Sequence, residues 1–307
     1  MHKYANIVKR GNRGMKKIIA LVAAIAVLIL AFTGCSTQNA GTKGADSAKS
    51  EKKVVKVIDI PLTQEEYAFG VDKNQPELLD KVNEFIDEIM SDGTYEEILD
   101  RYFGDGEPQP VDSAELDLSK DQLVVATNAG FEPFEYIVGD KYYGIDMEIA
   151  KLLADYLGKE LVISNMDFDA VCLSVGQSKA DIAMAGLTIK EDRKEYVNFT
   201  KKYHDAAQKL IVKADDTTFD NCKTAEDVEK ILAGFDKNVK IGVQNGTTGQ
   251  LYVEGDEDWG FSGYNVTCVG YKSGSLAVQD MLNGNINYVI IDEAPAQFIT
   301  DAFNALN

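Results

Sequence analysis

The chain has 307 residues, 45% of them hydrophobic and 9% aromatic, enough for one bilobed domain or two ordinary ones with buried cores. A formal net charge of −19 excludes nucleic acid as a partner, since phosphate binding needs clustered lysine and arginine, and it opposes adhesion to an anionic bilayer. Any membrane attachment must be hydrophobic or covalent.

The front of the chain carries such an attachment. Met15 is followed by two lysines, an apolar run over residues 18–32 and small residues up to Cys35, the three regions of a secretory signal. The run is short for a membrane span, which needs about 20 residues. Phe32-Thr33-Gly34-Cys35 resembles a bacterial lipobox, in which the cysteine becomes the lipidated first residue, although Phe32 stands where leucine is usual. Residues 1–35 are therefore expected to be a lipoprotein signal, and residues 36–53, rich in Ser, Gly, Thr and Ala, a flexible tether.

Next comes a segment that reads as an ending. "DGTYEEILDRYFGDGEPQP", residues 92–110, is an amphipathic helix, a Gly-Asp-Gly stop and a proline-bearing tail, yet the first buried strand, LVVA at Leu123, follows it. From there the elements alternate. A hairpin is expected around Gly139-Asp140, then a helix capped by Asp146 and stopped by Gly158, strand LVIS at Leu161, a helix over residues 169–178 and strand IAMAG at Ile182. Downstream, KLIV at Lys209, VKIGV at Val239, NVTCV at Asn265 and YVIID at Tyr288 read as strands, with helices around Glu226, Leu251 and Leu276. Such alternation implies two α/β lobes with parallel sheets.

Open parallel sheets bind ligands beyond the carboxyl ends of their strands, so the residues just after those strands carry the information. There lie Gly186, Thr188 and Arg193, Gln244, Thr247 and Thr248, and Asp292. Arg193 can grip a carboxylate bidentately, the hydroxyls can donate to an anion, and Asp292 suits an ammonium, which together describe a zwitterion site. Taken singly, Arg193 also fits a surface ion pair, Asp292 a helix cap, Phe131 and Phe168 core aromatics, and His204 a surface residue. His2 and His204 are the sole histidines, and Cys172, Cys222 and Cys268 lack metal-ligand spacing, so histidine catalysis and a metal centre are not expected. A Cys222–Cys268 disulfide is open in an exported protein.

The stretches beginning "LVVATNAGFEPFEYIVGDKYYGIDMEIA", "ADIAMAGLTIKEDRKEYVNFT", "KIGVQNGTTGQ" and "GNINYVIIDEAP" closely resemble the extracellular polar-amino-acid-binding proteins of ABC importers. The resemblance implies a type II periplasmic-binding-protein fold, a free amino acid as ligand, a permease partner in the membrane and no cofactor. By position it implies that Arg193 and Thr188, helped by Thr247 and Thr248, hold the ligand carboxylate, while Asp292 and the Gly186 carbonyl hold the ammonium. Phe131 and Phe168 match aromatics that sandwich the side chain, and Asn128 and Gln244 face its variable end. Two amides there point to a polar, uncharged side chain, glutamine first.

In that family, a segment like residues 54–104 normally follows one like residues 298–307, so the chain reads as circularly permuted. The implied division is lobe 2 from residues 54–62 plus 208–307, lobe 1 from 63–104 plus 123–203, and a permutation linker at 105–122. Residues 63–67 and 203–207 would be the interlobe crossings. Dehydratases share this fold, with Glu132 or Asp169 as the residue such an enzyme would use as general acid, and a ligand-sensing module is a third reading.

Overall fold

In the computed structural model, which describes residues 53–306, two five-stranded sheets are joined by a two-stranded ribbon. The signal segment, Cys35 and all but the last residue of the tether lie outside the described residues. The sheet of lobe 1 has the strand order β7(Glu160–Asn165), β4(Gln122–Thr127), β8(Ile182–Ala183), β3(Gly70–Asp72), β9(Val197–Phe199). The sheet of lobe 2 runs β1(Val55–Ile58), β11(Gln208–Lys213), β14(Tyr288–Asp292), β12(Lys240–Gln244), β13(Thr267–Tyr271). In the ribbon, β2(Glu65–Tyr67) pairs antiparallel with β10(His204–Ala206). The described chain changes lobe twice, through β2 and through β10.

The sheets are mixed rather than purely parallel. β4 runs parallel to β7 and β8, and β12 to β13 and β14, but β3 is antiparallel to β8 and β9, and β11 is antiparallel to β1 and β14. Direction follows from where each strand begins. A strand fed by a covering helix runs toward the cleft, whereas β3 and β11, which follow the ribbon, start at the cleft and run away from it.

Local sequence explains the covering helices. α1(Pro76–Asp92) buries Leu78, Val82, Phe85, Ile86 and Ile89 at helical spacing, begins with proline in its first turn and ends at Gly93 with φ of 93°. α2(Thr94–Phe103) follows. α3(Ile145–Leu157) stops where Gly158 donates its N–H to the carbonyl of Ala154. Asp146 does not cap α3, as the sequence suggested. It is fully buried, accepts from the N–H of Gly186 at 2.9 Å and from the Tyr203 hydroxyl at 2.7 Å, and so ties α3 to the cleft wall. α4(Phe168–Gly176) covers lobe 1. Lobe 2 adds α5(Ala225–Ala233), which opens with a Thr224–Asp227 capping box, then α6(Thr248–Glu254), α7(Gly274–Leu282) and α8(Glu293–Ala305). Leu210, Ile241, Val243 and Ile290 are fully buried on lobe 2 strands, and Val125 and Ile182 on lobe 1 strands. Each such side chain contributes about 1.5–3 kcal/mol.

The segment that reads as an ending works inside the same molecule. It belongs to residues 54–104, which supply β1 to one sheet, β2 to the ribbon and β3 to an interior position of the other sheet, between β8 and β9. The described ends meet: the Asn304 side chain on α8 accepts from the N–H groups of Val54 and Val55, at 2.7 and 3.1 Å, and donates to the carbonyl of Val55 at 3.0 Å. Residues 105–122 run along lobe 1. Val111 bridges Tyr142, the Ser113 hydroxyl accepts from the N–H of Ile163, and Ala114 donates to Leu161.

Cys222 and Cys268 are free thiols, with Asp227 near the first and Glu254 bonded to the second, so the disulfide left open by the sequence is not formed. Among the described residues, no helix is long and apolar enough to cross a membrane.

Candidate functional site

The strand ends of the two lobes converge beside the ribbon. Arg193 opens a short 3₁₀ turn, with Asp192 accepting from its N–H. Its guanidinium lies 5.1 Å from the centre of the half-buried Phe168 ring. One nitrogen donates to the Thr188 carbonyl at 2.8 Å, and the other reaches lobe 2, donating to the Gly246 carbonyl at 3.0 Å. Arg193 is buried, so it is not the surface ion-pair residue its type alone suggests. Cation–π contact and carbonyl bonds hold the fork rigid.

Gly186 needs its glycine. Its φ is 54°, and an added Cβ would stand 2.8 Å from Phe131 Cε1 and 3.3 Å from Tyr67 Cε2. Phe131 is buried, its N–H bonded to the carbonyl of Glu135. The buried Thr188 hydroxyl donates to Glu65 Oε2 at 2.7 Å.

Lobe 2 presents the facing set. Gln244 ends β12 and donates to the Asn128 Oδ1 of lobe 1 at 3.0 Å, while Asn128 donates to the Met166 carbonyl at 2.7 Å. The two amides therefore touch across the lobe junction. Gln244 Oε1 and the Thr248 hydroxyl are buried without a protein partner, and the Thr247 hydroxyl donates to the Gln244 carbonyl at 2.8 Å. Lys272 of lobe 2 and Asp167 of lobe 1 pair at 2.9 Å on the exposed rim.

Asp292 ends β14. It occupies the N-cap position of α8 but makes no side-chain cap bond, accepting instead from the Tyr67 hydroxyl at 2.5 Å. Burial first, then the charge of Glu65, pushes its carboxyl up to about 7. Burial raises Asp146 to about 7 as well. Glu135 is fully buried with both oxygens unpartnered, and burial together with Asp146 and Asp292 drives its carboxyl well above the ordinary range.

Every residue named from the sequence for this site thus lies at or beside the lobe junction, but sequence reasoning missed Glu65, Tyr67, Gln208 and Glu135. Glu65 and Tyr67 lie on the short polar ribbon strand β2, Gln208 opens the apolar strand β11 and Glu135 bridges Phe131, and nothing local in the sequence says that these side chains meet. Of the two acids suited to dehydration chemistry, Asp169 is exposed and Glu132 half-buried. His204 is half-buried rather than on the surface, bonded to the Tyr95 hydroxyl at 2.8 Å and stacked on Phe103, and burial lowers its pKa to about 4.

Comparison with known proteins identifies the family of the chain. The family model for bacterial extracellular solute-binding proteins, family 3, matches residues 3–105 and 123–286. The arginine-binding extracellular protein ArtP of Bacillus subtilis is 34% identical over 96 residues, 31% of this chain and 38% of that protein. ABC transporter arginine-binding protein 1 of Escherichia coli is 29% identical over 175 residues, 57% of this chain and 64% of that protein. The chain thus spans less than two thirds of the length of these curated relatives. An ancestral arginine-binding protein solved with arginine bound superposes with a TM-score of 0.51 at 31% identity, covering 61% of this chain and 76% of that one.

Proposed function

The chain belongs to the bacterial extracellular solute-binding proteins of family 3, and from that premise we propose that it is a receptor that closes on one free L-amino acid and delivers it to an ABC permease. One observation carries the reading: a buried arginine fork and a buried carboxylate, Arg193 and Asp292, stand at the junction of two lobes joined by a ribbon. A zwitterion satisfies both and bridges the lobes, so it favours the closed arrangement.

The touching amides Asn128 and Gln244 support a polar side chain, and the unpartnered Gln244 Oε1 asks for a donor. The sequence argument for an uncharged ligand rested on a cleft without a spare carboxylate, whereas Glu65 and Glu135 are buried beside Asp292. We therefore take L-arginine as the leading ligand, in keeping with the names of the relatives, and L-glutamine, favoured by the amide pair, as the second. Mass spectrometry of ligand released from purified protein, followed by calorimetry against all twenty amino acids, tests this. Tightest binding to an acidic or apolar amino acid would overturn the ligand class, and binding of none would overturn the function.

Export and anchoring through Cys35 complete the reading. Cys35→Ala should yield uncleaved precursor or released protein, and unchanged size with membrane retention would refute lipidation. We also read the chain order as a circular permutation. The contact between Asn304 on α8 and Val54 just before β1 supports it, as does a family match in two blocks on either side of residues 106–122. A chain starting at Leu123, lacking β1, β2 and β3, should be insoluble or unable to bind; a stable, binding truncation would argue against it.

A further inference from the structure

Glu65 lies on the ribbon strand β2 and is buried, with 4% of its surface exposed. Its Oε1 accepts from the Thr63 hydroxyl at 2.6 Å and from Gln208 Nε2 at 3.0 Å, and its Oε2 accepts from the Thr188 hydroxyl at 2.7 Å. Gln208 stands opposite Asp292 in the β11–β14 register. The Gln208 amide therefore links Glu65 to the strand end that carries Asp292. Tyr67, two residues along from Glu65, donates to Asp292.

This wall has acceptors to spare and, among the described residues, no cation paired with its carboxylates. Gln208 Oε1 and both oxygens of Glu135 are buried without partners. Lys209, next along β11, is turned to Asp59 and Glu293, and Arg193 donates to the Thr188 and Gly246 carbonyls rather than to these carboxylates. Buried carboxylates left without a counter-charge are costly, and a ligand cation offsets that cost.

We propose that Glu65 is a second anionic binding residue for the ligand, forming with Asp292 a two-carboxylate seat that requires a free, protonated amine and rejects ligands whose amine is acylated. The proposal rests on the reading of the cleft as an amino-acid site. Two charges flanking one ammonium discriminate more sharply than one, because a neutral nitrogen would leave both buried and unpaired.

The test compares L-arginine and N-acetyl-L-arginine by calorimetry on the wild-type protein, Glu65→Gln and, as control, Glu66→Gln, whose side chain is exposed and paired with Lys202. Glu65→Gln should weaken L-arginine at least tenfold and change N-acetyl-L-arginine less than twofold, so that selectivity collapses, while Glu66→Gln matches wild type. Equal weakening of both ligands would mean that Glu65 merely orients Thr188 and would overturn the proposal, as would wild-type affinity. Should Glu65→Gln fail to fold, Glu65→Asp replaces it: the charge stays and the arm shortens, so L-arginine must weaken with selectivity retained, and unchanged affinity overturns the idea. A wild-type protein that binds neither L-arginine nor any other amino acid would instead overturn the amino-acid reading itself.

Discussion

Asp292→Asn should make the ligand-free protein harder to unfold while destroying its binding. In the folded protein, burial and Glu65 raise this carboxyl from 3.8 to about 7, whereas in the unfolded chain it returns to the ordinary value. Below the unfolded value both states hold the proton and the residue costs nothing. As pH rises through the folded value, the stability supplied by the neutral form is lost. Three pKa units at about 1.4 kcal/mol each amount to roughly 4 kcal/mol at pH 8, and the fraction already lost at pH 5 is about 2 kcal/mol. Asparagine is neutral at every pH and still accepts the Tyr67 hydroxyl. Urea unfolding of both proteins at pH 5 and pH 8 should therefore show a gap in favour of the variant that about doubles between the two. Calorimetry at pH 8 should find no amino-acid binding by the variant. A gap independent of pH, or a variant less stable at pH 8, would refute the account of Asp292 as a desolvated charge held in reserve for a ligand.

Three further outcomes are expected. Arg193→Ala should cost roughly 3–5 kcal/mol of affinity, hundreds-fold or more by calorimetry, because the ligand carboxylate would be buried unpaired; normal binding would remove Arg193 from the site. Gly186→Ala should lower stability by about 1–3 kcal/mol in chemical unfolding, since a Cβ at φ of 54° would press on Phe131, and an unchanged midpoint would contradict the crowding described. Asn304→Ala should cost about 1–3 kcal/mol through the three hydrogen bonds it makes to Val54 and Val55, with affinity unaffected; a change in affinity would mean that the α8–β1 contact senses closure.

What the sequence made legible was whatever follows a strand. Arg193, Gln244 and Asp292 were expected beside the cleft because a parallel strand delivers its carboxyl end there, and their contacts do fall at the lobe junction and the ribbon. The resemblance put Glu65 and Tyr67 on an interlobe crossing, but their part in the cleft escaped because it depends on β2 pairing with the distant β10, which no local pattern encodes. Asp146 was misread for a related reason. An acid at a helix start is ordinarily a cap, but here the demand of Gly186 and Tyr203 for an acceptor wins over the helix end. Sheet direction was half legible: helix-fed strands read as parallel, while the strands leaving the ribbon reverse, a consequence of topology alone.

Residues 105–122 begin just beyond α2 and end at β4, and their bonds to Tyr142, Leu161 and Ile163 all fall on lobe 1. The segment is therefore a strap laid on one lobe. In the proposed closure, bending between the lobes falls on the antiparallel strands β2 and β10, whose stiffness the strap does not touch. Lengthening it should add only loop entropy, about 0.6 kcal/mol for each doubling, and that term is the same whether the cleft is open or shut. Such an insertion would shift the melting point and leave the binding isotherm where it was, which makes this stretch a neutral place to seat a reporter domain.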